Sequence, residues 1–112
     1  MTEFSMDLND DQKQLQDWVH GFAANVMRPA ASEWDEREET PWPIIQEAAN
    51  IGIYSPDFIF STFGDPTGLS MVVALEELAW GDAGLCMAIV GTSLAVAGIA
   101  ANGTPEQAME WI

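Results

Sequence analysis

The sequence predicts an all-α fold, a bundle of five to six helices joined mostly by short loops. Apolar residues recur at the three- and four-residue spacing of one helix face in several segments, and no segment shows the sustained alternation of a β-strand. Hydrophobic residues make up 48% of the 112 residues, which is enough for a single domain with a modest core. Residues that start and stop helices divide the chain at intervals typical of short helices.

The first helix is predicted to begin at Asn9 or Asp10, whose side chains can cap its free N–H groups. Its apolar face is formed by Leu15, Trp18, Val19, Phe22 and Val26. Pro29 is expected to break or kink this helix near Met27, because proline lacks an N–H and its ring crowds the preceding turn. A second helical piece follows, with an acidic, solvated side and an apolar side made of Ala30, Ala31 and Trp34.

The third helix is predicted to start near Thr40 and Pro41 and to end at Gly52 in a left-handed conformation. The segment that follows, IGIYSPDFIFSTFGDPTG, is rich in turn residues and predicts an irregular loop. Exposing its phenylalanines would be costly, so they are expected to pack against another surface. These residues are Phe58, Phe60 and Phe63.

The helical period then resumes through Met71, Leu75, Leu78 and Ala79 and is predicted to end at Gly81. A last helix is predicted to start at Thr104, with Pro105 in the first turn and Gln107 completing a capping box. This helix has run only to Ile112 where the sequence stops. We therefore expect residues 1–112 to be one helical domain that ends early, at the front of a longer protein.

An uncharged run lies between the cap residue Asp82 and the predicted stop at Asn102-Gly103. It is long enough to cross a bilayer at 1.5 Å per residue. Acids flank it and no Lys or Arg lies near it, so it is predicted to be a buried helix rather than a membrane span. Its glycines at 84, 91 and 98 recur every seven residues and lie near one line, which predicts a groove for another backbone or a ligand.

The charge balance excludes some partners. Eighteen acidic residues stand against three basic ones, giving a formal net charge of -15, so nucleic acid and anionic lipid surfaces would be repelled. Cys86 is the single cysteine, which excludes an internal disulfide and a cysteine-based metal site. The N-terminus has no basic region followed by an apolar core, so a cytoplasmic location is expected.

No arrangement typical of catalysis is visible in the sequence. Glu76 and Glu77 point about 100° apart on a helix, so they do not share one site; one is expected to face solvent and the other to meet a cation or a helix end. His20 is the single histidine, and no motif gives it a partner. Phosphate loops, metal clusters and nucleophile motifs are missing. The residues alone therefore predict a helical module with no catalytic residue and no metal ligand.

Four segments nevertheless follow one another in a recognisable order: LNDDQKQLQDWVHGFAANVMRPAASEWDE, PWPIIQEAANIGI, LEELAWGDAGLCMAIVGTSLA and NGTPEQAMEWI. With these segments the chain resembles the N-terminal α-helical domain of the acyl-CoA dehydrogenase family, from Leu8 to Ile112. One segment departs from the family pattern. A Pro-Glu followed by a loop with Gly-Gly is common there, whereas this chain has SPDFIFSTFGDPTG, in which only Pro56-Asp57 and Gly68-Leu69 echo it.

The resemblance implies a flavin enzyme that oxidises an acyl-CoA thioester to the 2,3-enoyl-CoA. Such enzymes remove a proton from C2, pass a hydride from C3 to FAD, and send the electrons to an electron-transfer partner. In the family a middle β-domain and a C-terminal helical bundle supply most FAD contacts and the catalytic glutamate. We therefore expect a complete enzyme that is a homo-oligomer, and a chain that alone binds no FAD and is inactive.

The resemblance also implies that the uncharged helix forms one wall of the acyl-chain pocket. All the candidates are apolar or small and lie along one helix stripe, as an alkyl chain requires. We expect room for a long or bulky acyl group, and the class of that group stays open between fatty and steroid acyl. The candidate residues are Cys86, Met87, Val90, Gly91 and Leu94.

A second interpretation is left open by the residues. The chain would then be a free-standing acidic helical module that binds a protein partner or lipid through Trp111, Ile112 and the phenylalanine-rich segment. Such a module would work without flavin and without the regions that follow in the acyl-CoA dehydrogenase family.

Overall fold

The computed structural model describes residues 5–112, and all regular structure in that range is helical. The elements are α1 (Asp10–Phe22), the π segment (Ala23–Met27), α2 (Arg28–Arg37), α3 (Trp42–Asn50), α4 (Pro56–Phe63), α5 (Leu69–Gly81), α6 (Ala83–Asn102) and α7 (Pro105–Trp111). Because α1, the π segment and α2 are continuous and form the first rod, these residues form six rods, and the predicted all-α fold of five to six helices is confirmed.

The core lies where α1 and the π segment pack against α5, and where α5 packs against α6. Burial of these side chains supplies the main stabilising term of the fold. In α2 no residue is fully buried, but the predicted apolar side, made of Ala30, Ala31 and Trp34, is partly buried and packs against the core. The largest fully buried side chains are Val19, Met27, Leu78 and Ile89.

A helix break at Pro29, one of the two predicted outcomes, is wrong, because the helix continues through the proline, but the predicted disturbance near Met27 is present. The chain instead widens into a π turn, in which the N–H of Arg28 donates to the carbonyl of Ala23, five residues earlier. Such a wider turn gives the proline ring room, so the helix continues past it. The two ends of the π segment, Ala23 and Met27, are fully buried.

Those two residues pack against the last residue of α5, Gly81. A Cβ placed on Gly81 would lie 2.9 Å from the Cβ of Ala23 and 3.1 Å from both the Cβ and the Sδ of Met27. These separations are shorter than ordinary van der Waals contact. Gly81 therefore ends α5, as predicted, and it is also the point of closest approach between the first rod and α5.

The cap predictions are confirmed at several helix ends. Asn9 forms a capping box with Gln12, and Thr104 forms one with Gln107. Asp82 lies between α5 and α6, and its side chain accepts a hydrogen bond from the N–H of Leu85 at 2.8 Å. A single residue therefore joins these two helices and sets the start of α6. Gly52 follows α3 with φ +95°, the predicted left-handed conformation.

The predicted irregular loop after α3 is wrong in its centre, which forms α4. Ser55 caps this helix by accepting a hydrogen bond from the N–H of Phe58 at 3.1 Å, and Pro56 occupies its first position. The expected packing of the phenylalanines holds in part. Phe58 packs against the core, whereas Phe60 and Phe63 are 57% and 56% exposed.

The prediction that α6 is buried along its length is also wrong. Its buried residues, Leu85, Cys86 and Ile89, all lie in its first half, and only 17% of its most apolar window is buried. By length and composition α6 is the one helix in residues 5–112 that is able to cross a membrane, but one such helix is weak evidence and no clear span is evident. The second half of α6 presents an apolar surface that the described residues leave largely uncovered.

The glycine line of α6 does not form a helix–helix contact within the described residues. A Cβ at Gly91 or Gly98 would meet no atom within 4 Å, and one at Gly84 would meet only the side chain of Asp82, at 3.2 Å. The seven-residue spacing correctly places these glycines on one stripe. The close approach that glycine allows occurs instead at Gly81.

Asp65 ties the start of α5 to α1. Its carboxylate accepts hydrogen bonds from the N–H and hydroxyl groups of both Ser70 and Thr67, and from the amide of the buried Gln12 at 3.0 Å. These hydrogen bonds, those of the Ser70 and Thr67 hydroxyls foremost, hold the pKa of Asp65 well below its ordinary value. The charged carboxylate therefore stabilises the folded state.

Replacing Asp65 with asparagine is expected to lower the melting temperature at pH 7 by a few degrees. The asparagine side chain has one acceptor oxygen, whereas the donors around Asp65 now share the two oxygens of its carboxylate. Because the folded pKa is depressed, the stabilisation is present above the unfolded pKa of about 4 and is lost as the pH falls below it. Thermal melts from pH 7 to pH 3 should therefore show a gap between the two proteins that narrows with acid.

Asp17→Asn is the matched control, because it removes the same charge from an exposed position on α1. Its melting temperature should follow that of the unmodified protein across the pH range. An Asp65→Asn curve that coincides with the Asp17→Asn curve would contradict the assigned role of the carboxylate.

Candidate functional site

One large apolar cavity, of about 760 Å³, lies between α4, α5 and α6, with the end of α7 at its edge. Its volume falls in the range of small-molecule and cofactor pockets. The wall from α5 includes Met71, Leu75 and Leu78, and the edge from α7 consists of Trp111 and Ile112. Among residues 5–112, no Asp, Glu, Lys or Arg lines the cavity, so it suits a hydrocarbon rather than a charged group.

Four of the five candidate residues lie on the wall that α6 contributes. Cys86 is buried, Val90 is half-buried, and Met87 and Leu94 are 58% and 71% exposed. The fifth, Gly91, is not among the lining residues, and the space beside it is open. The structure therefore brings Cys86, Met87, Val90 and Leu94 together on one surface and leaves Gly91 beside it.

The Ser93 hydroxyl on this wall is satisfied within α6. The hydroxyl of Ser93 donates to the carbonyl of Val90, one turn earlier. Burial raises the pKa of the Cys86 thiol, and the negative charge of Asp82 raises it further. The thiol therefore stays protonated at neutral pH and acts as a small apolar group, because a nucleophile would need the thiolate.

The wall opposite α6 comes from α4, which sequence reasoning missed. Phe58, Ile59, Phe60 and Phe63 line the cavity from this helix. The sequence did contain a signal for it, since Ser55-Pro56-Asp57 is a cap residue, a proline at the first position and an acid in the first turn.

A cluster of charged and aromatic side chains lies outside the cavity. The Nδ1 of His20 is 2.6 Å from the Oε2 of Glu77, and the His20 ring stacks on Trp80 with 4.4 Å between the ring centres. Arg28 covers Trp80, with its guanidinium carbon 4.3 Å from the ring centre. Glu77 therefore has a side-chain partner, the imidazole of His20, and Glu76 is exposed, as predicted for one of the two glutamates. The cluster joins α1 to α5, which is a structural role.

Comparison with known proteins identifies the family. Residues 9–112 match the family described as "Acyl-CoA dehydrogenase, N-terminal domain". The chain belongs to the acyl-CoA dehydrogenase family. The match covers every described helix from α1 to α7, so both the cavity and the predicted stripe of α6 lie within an acyl-CoA dehydrogenase N-terminal domain.

Relatives in the family differ in the acyl groups that their names specify. The chain is 36% identical over 112 residues to a "Probable medium-chain specific acyl-CoA dehydrogenase 2, mitochondrial" from Caenorhabditis briggsae, covering 98% of this chain and 27% of that protein. It is 31% identical to an "Isobutyryl-CoA dehydrogenase, mitochondrial" from Dictyostelium discoideum, over 96% of this chain and 26% of that protein.

A third relative is bacterial. This "Acyl-CoA dehydrogenase, short-chain specific" from Clostridium acetobutylicum is 30% identical, over 94% of this chain and 28% of that protein. The chain thus spans about a quarter of the length of the curated relatives it matches. No solved structure matches the chain significantly. Two of these relatives are named mitochondrial, and the cytoplasmic location stays a prediction.

Membership of the acyl-CoA dehydrogenase family implies FAD in the full-length enzymes, but the described residues do not fit this cofactor. A diphosphate needs several donors or positive charges at one place. Arg28 lies over Trp80, Arg37 binds Glu33 and Glu39, and Lys13 is exposed on α1. These basic residues do not converge, and none lines the cavity.

Proposed function

We propose that this domain belongs to an enzyme that oxidises acyl-CoA thioesters to 2,3-enoyl-CoA, and that the stripe of α6 holds the acyl chain. The observation that carries the proposal is the cavity of about 760 Å³, which borders the helix that the family resemblance singles out and which no ionised side chain of the described part of the chain lines. Cys86, Met87, Val90 and Leu94 form its wall on α6, and Gly91 stays a candidate beside them.

The chemistry of the wall supports a role in binding hydrocarbon. Burying the surface of an apolar tail lowers the free energy of binding by about 25 cal/mol per Å². The hydroxyl of Ser93 is bonded within α6, so it keeps its partner when the tail enters. The residues present hold and position the substrate tail, while FAD, the proton-abstracting base and the electron-transfer partner belong to other parts of the proposed enzyme.

Of the two interpretations that the residues leave open, family membership favours the dehydrogenase domain over the partner- or lipid-binding module. The exposed Trp111 and Ile112, which motivated the module, lie at the edge of the same cavity. Their exposure therefore fits the acyl pocket without a separate binding function.

Val90→Trp in the full-length protein is expected to reduce kcat/KM for long or bulky acyl-CoA substrates by about tenfold or more. Val90 is half-buried in the α6 wall, so an indole there takes up space that the acyl tail would fill. Gly91→Phe is expected to act in the same direction, because the space beside Gly91 is open and accepts a ring. Steady-state kinetics over a series of acyl-CoA lengths measures both effects.

Val72→Trp provides the matched control, since Val72 is 50% exposed on α5 and does not line the cavity. Its kinetics should equal those of the unmodified enzyme. Turnover of long and bulky substrates that is unchanged in both the Val90 and the Gly91 variants would contradict the proposed role of α6.

A further inference from the structure

Asp82 is the single residue between α5 and α6, and it is hydrogen-bonded to both helices. Its N–H donates to the carbonyl of Leu78 on α5 at 3.2 Å, and its carbonyl accepts from the N–H of Cys86 on α6 at 2.9 Å. Its side chain accepts a further hydrogen bond from the N–H of Leu85 at 2.8 Å. Through these bonds Asp82 fixes the direction in which α6 leaves α5.

The α5 side of this junction is held by the core. Gly81, the residue before Asp82, lies against Ala23 and Met27, and a Cβ on it would be only 2.9 Å from the Cβ of Ala23. Ala23 and Met27 are fully buried. The end of α5 is therefore packed directly on the first rod, and this close packing gives α6 a fixed starting point.

The α6 side depends on the junction, because the core holds only the first turns of this helix. Ile89 is the last buried residue of α6, and every later residue is half-buried or exposed. Leu94 lies twelve residues beyond Asp82, which is about 18 Å along the helix. A change of about 5° in the direction of α6 would move Leu94 by about 1.5 Å. Displacements of about 1 Å are enough to disturb how a substrate is held.

We infer that Asp82 is a positioning residue for the acyl wall, and that its side-chain hydrogen bond to α6 sets where the stripe from Cys86 to Leu94 lies in the cavity. This inference rests on the proposed function and adds a residue that acts on the acyl tail without touching it. Asp82 does not line the cavity, so its effect reaches the tail through the direction of α6. A longer acyl chain contacts more of the stripe and loses more when the stripe is displaced.

The test compares Asp82→Gly with the unmodified full-length protein, using the shortest and the longest straight-chain acyl-CoA that the unmodified enzyme oxidises. Glycine is well tolerated at a cap position but has no side-chain acceptor, so the variant should fold without the hydrogen bond. We expect KM for the longest substrate to rise at least about fivefold, KM for the shortest to change less than about twofold, and kcat to stay within about twofold.

Two further substitutions at the same position sharpen the test. Asp82→Ala also lacks the acceptor and should shift KM in the same way as Asp82→Gly. Asp82→Asn should keep the unmodified kinetics, because its side-chain oxygen accepts the same hydrogen bond and caps a helix as well as a carboxylate does.

Asn9→Gly is the matched control. Asn9 caps α1 through the same kind of hydrogen bond, which its side chain accepts from the N–H of Gln12 at 2.8 Å, and α1 does not line the cavity. Its kinetics should equal those of the unmodified enzyme at both chain lengths, even where its melting temperature falls as much as that of Asp82→Gly.

The outcomes separate this inference from the proposed function. Equal KM values in Asp82→Gly and Asn9→Gly, a loss of equal size for short and long substrates, or a loss that Asp82→Asn shows as well would overturn the positioning role and leave the dehydrogenase proposal standing. Absence of turnover with every acyl-CoA in the unmodified protein would overturn the proposed function and the inference with it.

Discussion

Replacing Leu78 with alanine is expected to lower the free energy of unfolding by about 2–5 kcal/mol. Leu78 lies on α5 with 0% of its surface exposed, in the core that α5 shares with the first rod and α6. The substitution removes buried methyl groups and leaves a void that the packed neighbours fill only in part. Since small domains have about 5–15 kcal/mol of stability in total, this single change removes a large share of it.

Leu94→Ala is the matched control for this prediction, because it makes the same chemical change at a residue that is 71% exposed. Urea denaturation should place it within about 0.5 kcal/mol of the unmodified protein. Equal losses in the two variants would mean that the core is not centred on α5.

Gly81→Ala is expected to destabilise the protein by about 1–3 kcal/mol, although the same change in a helix ordinarily stabilises. The added Cβ would lie 2.9 Å from the Cβ of Ala23 and 3.1 Å from the Cβ of Met27. Both neighbours are fully buried in the π segment, so relief requires α5 and the first rod to move apart.

Gly98→Ala on α6 gives the opposite expected sign, a gain of about 0.5–1 kcal/mol, because its added Cβ meets nothing within 4 Å. Thermal and urea unfolding of the two variants measures both changes. If both substitutions changed the stability with the same sign, the close contact between Gly81 and the π segment would not decide the effect of an added Cβ.

The helix ends were the most predictable part of the fold, because capping is local chemistry. Asn9, Gly52 and Thr104 act as their residue types indicate, through a side-chain acceptor or a left-handed backbone. The π segment before Pro29 was not predictable in this way. Whether proline breaks a helix or widens one turn depends on what packs against that turn, and here the packing partner is Gly81, more than fifty residues later.

The candidate site was predictable on one wall only. The stripe from Cys86 to Leu94 follows from helical spacing together with the family resemblance, and four of its five residues line the cavity. The α4 wall was missed because its glycine and proline neighbours outweighed the cap at Ser55. The exposure of α6 was missed because an apolar sequence does not say which surface covers it.

The most direct test of the central claim, that the α6 stripe and α4 hold the acyl tail, is photochemical labelling of the full-length protein. An acyl-CoA with a diazirine at the far end of its acyl group is bound and irradiated, and labelled peptides are mapped by mass spectrometry. We expect labels between Cys86 and Leu94 and on α4, with loss of labelling when unlabelled acyl-CoA competes. Labels confined to α1 and α2, or competed labels that all lie outside residues 1–112, would contradict it.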